Sequence, residues 1–242
     1  VELHCWNGSH ITSLQVHQQF DADSICATIN AHVRCDAPAS LHYFLDDRPI
    51  GERKVDQFRS DTIGSTIQFA AGKTDLWWPS RSGKQALHRI RVEVRDAKGK
   101  LLDEVQCRVG FRSVELRQHS DSIGRSFTFV INGVPLFMKG CNIVPPDMFP
   151  SRAGDSAWVA LVADAQRAHM NMVRIWAGGV YPPDAFFDAC DTAGILVWQD
   201  FMLANLVPAE GTFLDNVLAE AREQTTRLST HPSVALLCGN NE

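Results

Sequence analysis

The hydrophobic pattern of this 242-residue chain changes its period after residue 112, and that change limits the possible folds more than any other feature. Between Ile11 and Phe111, apolar and polar residues alternate in short runs, which predicts strands with one buried and one solvated face. After residue 135 the apolar runs are nearly continuous, as in parallel strands buried on both faces, and segments with helical spacing separate them. We therefore predict two domains, an all-β domain at residues 1–112 and an α/β domain at residues 113–242.

The first domain shows about seven short strands over roughly a hundred residues, the number expected for an immunoglobulin-like β-sandwich. Turn-forming segments such as Asp36-Ala37-Pro38 and Ala97-Lys98-Gly99 separate the strands, and the Cys…Trp…Cys pattern of antibody domains is absent. Trp77 and Trp78 precede a proline just before one strand. This pair can pack a loop onto a neighbouring surface or offer a carbohydrate a stacking platform, and the residues alone favour packing.

The second domain opens with a predicted hairpin over residues 127–137, whose Asn132-Gly133 pair is typical of a type I′ turn. Nearly continuous apolar runs follow at residues 136–138, 172–176, 195–198 and 234–238. The segments between them have the spacing of amphipathic helices, with Gly194 suited to a helix C-terminus. Strand-helix alternation fits a doubly wound sheet or a barrel, but no Gly-rich phosphate loop follows any strand.

Polar residues stand where each apolar run ends, and this placement favours a (β/α)₈ TIM barrel. They are Lys139 to Asn142 after the first run, Arg174 and Trp176 in the second, Gln199 and Asp200 after the third, and Asn240, Asn241 and Glu242 after the fourth. In such barrels the carboxyl ends of the strands meet on one face, which carries the active site. Only about four βα units fit in the chain, so we expect the first half of a barrel that belongs to a longer polypeptide.

Composition argues against several other classes of function. The chain has 23 Lys and Arg against 28 Asp and Glu, a net charge of −5 without a basic stretch, so we expect no nucleic-acid partner. No apolar run approaches the ~18 residues of a membrane-spanning helix, so we expect no membrane association. The seven cysteines and nine histidines are scattered without ligand spacing, and we expect no metal and no cofactor.

The converging polar residues each allow a functional and a structural interpretation. Glu242 could sit in a partly desolvated site where burial raises its pKa and suits it to proton donation, or it could be an ordinary salt-bridge partner. Arg174 needs a partner, for which Asp200 is a candidate, and Asp200 could instead bind a substrate hydroxyl. Trp176 could stack on a sugar or belong to the core. Together these residues favour a site for a polyhydroxylated ligand.

Three strings resemble the β-mannosidase branch of glycoside hydrolase family 2. They are Asn171-Met172-Val173-Arg174-Ile175-Trp176, Gly194-Ile195-Leu196-Val197-Trp198-Gln199-Asp200-Phe201, and His231-Pro232-Ser233 with Cys238-Gly239-Asn240-Asn241-Glu242. Leu76-Trp77-Trp78-Pro79 and Gly110-Phe111-Arg112 look like the family's marks at the last sandwich strands, and Lys139-Gly140 with Asn142 looks like its first barrel strand. Two positions depart from the family pattern: this chain has Ile143 where the family usually has Trp, and Ala177 where it usually has Gly. Because both lie beside the expected pocket, they leave the preference among β-mannosides open.

The resemblance implies a retaining exo-β-mannosidase that acts on a β-mannoside oligosaccharide or glycoconjugate. Glu242 matches the general acid/base, and Asn241 matches the residue that hydrogen-bonds the sugar 2-hydroxyl. Arg174, Trp176 and Asp200 match residues that line the terminal-sugar subsite, and Asn142 is a further substrate-binding candidate. The nucleophile would come from a later strand in the remainder of the polypeptide, so we expect no turnover by these 242 residues alone. The alternatives are an endo-β-mannosidase, an exo-β-glucosaminidase, or a non-catalytic carbohydrate-binding or assembly module.

Overall fold

A computed structural model describes residues 5–6, 8–20, 24–55, 60–70, 75–208 and 210–241. The chain divides into two compact units, one with Val1–Thr74 and His88–Val109 and the other with Asp75–Leu87 and Gly110–Glu242. Residues 75–87, which lie between sandwich strands in sequence, thus pack with the second unit. The predicted domain boundary at residues 112 and 113 stays a prediction.

The described residues of the first unit form seven strands in two antiparallel sheets. Strands β1 (His10–Phe20), β2 (Ser24–Arg34) and β5 (Ser60–Ala70) form one sheet in the order β1-β2-β5. Strands β3 (Ala39–Leu45), β4 (Arg48–Val55), β6 (His88–Asp96) and β7 (Leu101–Val109) form the other in the order β4-β3-β6-β7. The predicted period-two alternation is confirmed, since Leu41, Tyr43, Ile90, Val92 and Val94 are fully buried at alternate positions.

Strand β4 carries no apolar alternation, and the sequence pattern alone does not reveal it. Its side chains are mostly exposed, and it contains Pro49 at the edge of its sheet. An edge strand can accommodate both features because one side of its backbone faces no neighbouring strand. Asp46 and Asp47 take positive φ values of 48° and 66° and form the tight turn that joins β3 to β4.

The second unit begins with a three-stranded antiparallel sheet of β8 (Val114–Arg117), β9 (Thr128–Ile131) and β10 (Val134–Leu136). Asn132 and Gly133 have φ values of 50° and 79°, which confirms the predicted type I′ hairpin between β9 and β10. The prediction of a first parallel strand at residues 136–138 is wrong. Leu136 completes the hairpin opposite Phe129, because the register set by the Asn-Gly turn extends β10 to that residue.

A four-stranded parallel sheet follows, with the strands in chain order. Its strands are β11 (Gly140–Ile143), β12 (Met172–Ile175), β13 (Leu196–Asp200) and β14 (Val234–Cys238). The helices are α1 (Asp155–Arg167), α2 (Asp184–Ala193) and α3 (Thr212–Leu228), and a short 3₁₀ helix spans Pro150–Arg152. Gly194 ends α2 in the left-handed conformation at φ 72°, as predicted. The second unit therefore contains a partial parallel sheet with strand-helix alternation.

Two apolar clusters cover the two faces of the parallel sheet. Val173, Ile175 and Val197 pack against the helices, together with Trp158 and Phe186. On the other face, Met172 and Leu196 pack with the fully buried Trp77 and with side chains of β9. The Trp77 indole N–H donates to the carbonyl of Asp191 at 2.8 Å, so the packing interpretation of this residue is confirmed.

Arg112, near the start of the second unit's main segment, is hydrogen-bonded to the beginning of β14. Its guanidinium donates to the carbonyl oxygens of Pro232 and Val234, both at 2.6 Å. Burial lowers the pKa of Arg112 to about 10, while the charge of Asp191 opposes that effect. The side chain therefore remains protonated at neutral pH and satisfies two main-chain carbonyl groups at the start of β14.

Gly140 pairs with Met172 in the register of β11 and β12 and leaves no room for a side chain. A Cβ atom there would lie 1.8 Å from the carbonyl oxygen of Met172, a distance that no side chain tolerates. We expect Gly140→Ala to lower the free energy of unfolding by more than about 2 kcal/mol, because backbone on both strands must move. Gly124→Ala is the control, since a Cβ at Gly124 meets nothing within 4 Å. Equal denaturant midpoints for the two variants would contradict the expected clash.

Candidate active site at the carboxyl ends of the parallel strands

Arg174, Asp200 and Asn241 form one hydrogen-bonded network across three neighbouring strand ends. The Arg174 guanidinium donates to Asp200 through Nε at 3.2 Å and through Nη2 at 2.7 Å. The same Nη2 donates to the side-chain oxygen of Asn241 at 2.6 Å. Arg174 lies in β12, Asp200 ends β13, and Asn241 follows β14. The parallel register brings these three strand ends together at the C-terminal end of the sheet, as the sequence predicts.

Asp200 is completely buried, and its carboxylate is held by groups on β12 and just beyond it. Besides the two Arg174 bonds, Oδ2 accepts the backbone N–H of Ala177 at 3.2 Å. The ion-pair interpretation of Arg174 and Asp200 is thereby confirmed. The Asp200 carboxylate is thus held by the Arg174 guanidinium and the Ala177 backbone, and its binding of a substrate hydroxyl stays a prediction.

The contact with Arg174 sets the orientation of the Asn241 side chain. A guanidinium only donates hydrogen bonds, so the atom of Asn241 that faces it is the amide oxygen. The Nδ2 group has no hydrogen-bond acceptor among the described residues. The backbone N–H of Asn241 is shared between the side-chain oxygen of Asn240 at 2.7 Å and the carbonyl of Ala204 at 3.2 Å.

Asn142 and Arg174 line one cavity of about 420 Å³ on the face of the sheet opposite the helices. The two residues are directly opposite each other in the parallel register of β11 and β12. Asn142 is exposed and lies within β11 rather than after it, which corrects the predicted position of that strand end. Its side chain is available to a molecule in the cavity.

Trp176 lies just after β12 and is half-buried. A Cβ at Gly178 would lie 2.1–2.5 Å from its six-membered ring, so the indole packs directly on the Gly178 backbone. Its backbone N–H donates to the carbonyl of Ile143 at 3.2 Å. The ring is not part of the lining of the Asn142 and Arg174 cavity.

Trp198 is a site residue that the sequence reasoning missed. It lines the same cavity, and the Arg174 guanidinium carbon lies 5.5 Å from its ring centroid. Its ring also stacks on Phe127 with centroids 5.7 Å apart. Within the described residues its buried indole N–H has no hydrogen-bond partner. The signal was present in the sequence, because Trp198 precedes Asp200 by two strand positions and so shares its face.

Glu242, the predicted general acid/base, lies outside the described residues. The chain leads into it from β14 through Gly239, Asn240 and Asn241. Its role stays a prediction.

Asp188, Asp191 and His231 form the group of possible metal ligands in the described part of the chain, with ligand atoms within 4.8 Å of one another. Asp191 already accepts hydrogen bonds from the His231 ring at 2.7 Å and from the backbone N–H of Ser233 at 3.0 Å. The charge of buried Arg112 also acts on it. A cation would compete with all three interactions, so the group is better explained as a structural link between α2 and the start of β14. No helix among the described residues is both long and apolar enough to cross a membrane.

Comparisons with known proteins bear on both units. Residues 9–112 match the family described as glycosyl hydrolases family 2. The chain is 41% identical over 171 residues to the β-mannosidase of Bos taurus. The aligned region covers 69% of this chain and 19% of that protein. It thus spans about a fifth of the length of this relative.

Two solved structures resemble nearly the whole chain in fold. The β-D-mannosidase of Dictyoglomus thermophilum is 33% identical with a TM-score of 0.87, covering 98% of this chain and 30% of that one. The exo-β-D-glucosaminidase CsxA has a TM-score of 0.81 at 22% identity, covering 96% of this chain and 28% of that one. At that identity the likeness to CsxA concerns the fold alone.

Proposed function

We propose that this chain, which belongs to glycoside hydrolase family 2, is part of a retaining exo-β-mannosidase that removes terminal non-reducing β-D-mannose from oligosaccharides or glycoconjugates. The observation that carries the proposal is the Arg174, Asp200 and Asn241 network, which lies at three neighbouring strand ends immediately before Glu242. The relatives at 41% and 33% identity are named β-mannosidases, which supports this choice within the family.

The proposed architecture is an immunoglobulin-like sandwich at residues 1–112 followed by the first half of a (β/α)₈ barrel at residues 113–242. Support comes from the seven antiparallel strands of the first unit and from the four parallel strands of the second, which follow one another in chain order. In a barrel, the edges of β11 and β14 that face no strand among the described residues would pair with strands from the rest of the polypeptide. The activity accordingly belongs to the longer protein.

The proposed reaction uses two carboxyl groups and no cofactor. Glu242 protonates the glycosidic oxygen as the bond to C1 breaks, and a carboxylate from the rest of the polypeptide attacks C1 to form a covalent glycosyl intermediate. Glu242 then takes a proton from the water molecule that hydrolyses this intermediate. Retention of configuration requires the two carboxyl groups to be about 5–5.5 Å apart.

The described residues bind and orient the sugar in this proposal. Asn241 donates from Nδ2 to the 2-hydroxyl, since Arg174 occupies its oxygen. Asp200 holds the Arg174 guanidinium, and Asn142 faces the sugar from β11. Trp176 is proposed to stack on the sugar from outside the cavity that Asn142 and Arg174 line.

The test is a substrate panel with the full-length polypeptide. We expect kcat/KM for p-nitrophenyl β-D-mannoside to exceed that for the β-D-glucosaminide and the β-D-glucuronide by at least about a hundredfold, as expected when buried polar groups match one pattern of hydroxyls. Release of single mannose units from the non-reducing end of a β-manno-oligosaccharide distinguishes exo from endo action. A preference for the glucosaminide would contradict the proposal and would favour an activity like that of CsxA.

A binding module without catalysis is tested separately. Calorimetry of the same polypeptide, with Glu242→Gln to prevent turnover, measures the binding of mannose and mannobiose. Binding without hydrolysis by the unsubstituted protein would favour the module over the enzyme.

A further inference from the structure

Residues 201–208, here called the 201–208 segment, connect β13 towards α3 and lie against the residues that lead from β14 to Glu242. The backbone N–H of Phe201 donates to the carbonyl of Cys238 at 2.9 Å. The side-chain Nδ2 of Asn240 donates to the carbonyl of Leu206 at 3.0 Å. The backbone N–H of Asn241 reaches the carbonyl of Ala204 at 3.2 Å. Three hydrogen bonds thus join the segment to residues 238–241.

Asn240 contributes to this contact with both ends of its amide. While Nδ2 holds Leu206, Oδ1 accepts the backbone N–H of Asn241 at 2.7 Å. One planar group therefore fixes the segment and the main chain of Asn241 together. No other side chain in the described part of the chain bonds to both elements.

The backbone of the segment is under constraint. Ala204 has a φ of 49°, in the left-handed region that a residue with a side chain rarely adopts. Such a conformation persists where the surroundings hold it in place. On its other side the segment is held by Tyr181, whose hydroxyl accepts the N–H of Met202 at 3.3 Å and donates to Glu220 on α3 at 2.9 Å. Asn240 and Tyr181 thus hold the segment from two directions.

We propose that Asn240 is a positioning residue that anchors the 201–208 segment and through it fixes Asn241 and the adjoining Glu242 for catalysis. This inference rests on the proposed function, because it assigns Asn240 a part in the reaction. Asn240 acts through Asn241 and the segment, and it need not touch the sugar. Without the Asn240 side chain, the backbone N–H of Asn241 loses the shorter of its two bonds, and the segment loses its bond at Leu206.

The test uses two variants of the full-length polypeptide and a matched control. Asn240→Asp keeps the shape and the Oδ1 acceptor but puts a second oxygen opposite the Leu206 carbonyl. Asn240→Ala removes both bonds without adding charge. Asn205→Asp is the control, since Asn205 lies exposed in the same segment and makes no side-chain hydrogen bond among the described residues.

Two measurements are made on each protein. Hydrogen exchange should become at least about tenfold faster for the amides of residues 201–207 in both Asn240 variants, because local opening no longer breaks the anchoring bonds. On a β-mannoside with a poor leaving group, kcat should fall by roughly 10- to 100-fold while KM changes little, because misplaced catalytic groups raise the barrier without weakening ground-state binding. Asn205→Asp should match the wild type in both measurements.

Each remaining outcome gives a definite answer. Wild-type exchange and kinetics in the Asn240 variants would overturn the proposal, and so would faster exchange with unchanged kcat or a lower kcat with wild-type exchange. If Asn240→Asp is unfolded at the assay temperature, Asn240→Ala is judged by the same criteria. If the unsubstituted protein shows no β-mannosidase activity, the proposed function fails and this positioning role fails with it. In that case faster exchange in the Asn240 variants still confirms the anchor as a feature of the fold.

Discussion

Asp200→Ala is expected to lower the free energy of unfolding by about 3 kcal/mol, because it removes one partner of a largely buried ion pair. Asp200 is fully buried, and the Arg174 side chain keeps only 25% of its surface exposed. The variant leaves the guanidinium with the Asn241 oxygen as its hydrogen-bond partner and leaves the Ala177 N–H without its acceptor. Denaturant unfolding of the full-length polypeptide measures the change, with tryptophan fluorescence reporting on Trp198 beside Arg174.

A double-mutant cycle separates the ion pair from simple loss of packing. Arg174→Ala and the double variant complete the cycle, and the coupling free energy should lie within about 0.5–3 kcal/mol, the range for residues in one network. Additive effects of the two single substitutions would contradict a shared network. Arg174→Lys is a second probe, since an ammonium group cannot bond Asp200 and Asn241 with the same planar fork. It should keep part of the stability and lose the orientation of Asn241.

The residues of the ion pair illustrate what the sequence predicts well. Buried strand positions admit few charges, so Arg174 within an apolar run requires a buried acceptor. Asp200 ends the neighbouring strand, which makes it a candidate for that acceptor, and the structure shows the ion pair. The hairpin at Asn132 and Gly133 is also predictable, because Asn followed by Gly favours the two positive φ values of a type I′ turn.

Other features depend on tertiary partners that a local pattern does not contain. The period-two pattern does not reveal β4, because its exposed edge position requires no apolar alternation. The apolar Leu136 suggests a parallel strand, but it pairs with Phe129 in the antiparallel hairpin. The anchor formed by Asn240 is equally hidden, because its acceptor is the Leu206 carbonyl in a segment whose path the sequence does not define.

Glu242→Gln in the full-length polypeptide is expected to give the largest effect on catalysis, a fall in kcat/KM of roughly 10²- to 10⁴-fold on β-mannosides with poor leaving groups. An amide cannot supply the proton that the departing oxygen needs. A 2,4-dinitrophenyl mannoside departs without that proton, so its first step should be nearly unaffected and the covalent intermediate should accumulate. Two measurements check these expectations. The dependence of kcat/KM on the pKa of the leaving group tests the loss of proton donation, and the burst of dinitrophenol in the first turnover tests whether the intermediate accumulates.

Two further results decide whether Glu242 is the acid/base itself rather than a residue needed for folding. Azide attacks the intermediate without help from a base, so it should accelerate turnover of the dinitrophenyl substrate by the variant and yield the β-mannosyl azide. The basic limb of the pH profile of kcat/KM should disappear, since that limb reports loss of the proton from the catalytic acid. Glu210→Gln makes the same change at an exposed position in the described part of the chain and should leave both properties as they are in the wild type. If Glu242→Gln lowers the rate equally for all leaving groups and azide has no effect, the acid/base lies elsewhere. Loss of the group that donates the proton makes the rate depend on the basicity of the departing oxygen, whereas loss of another residue does not.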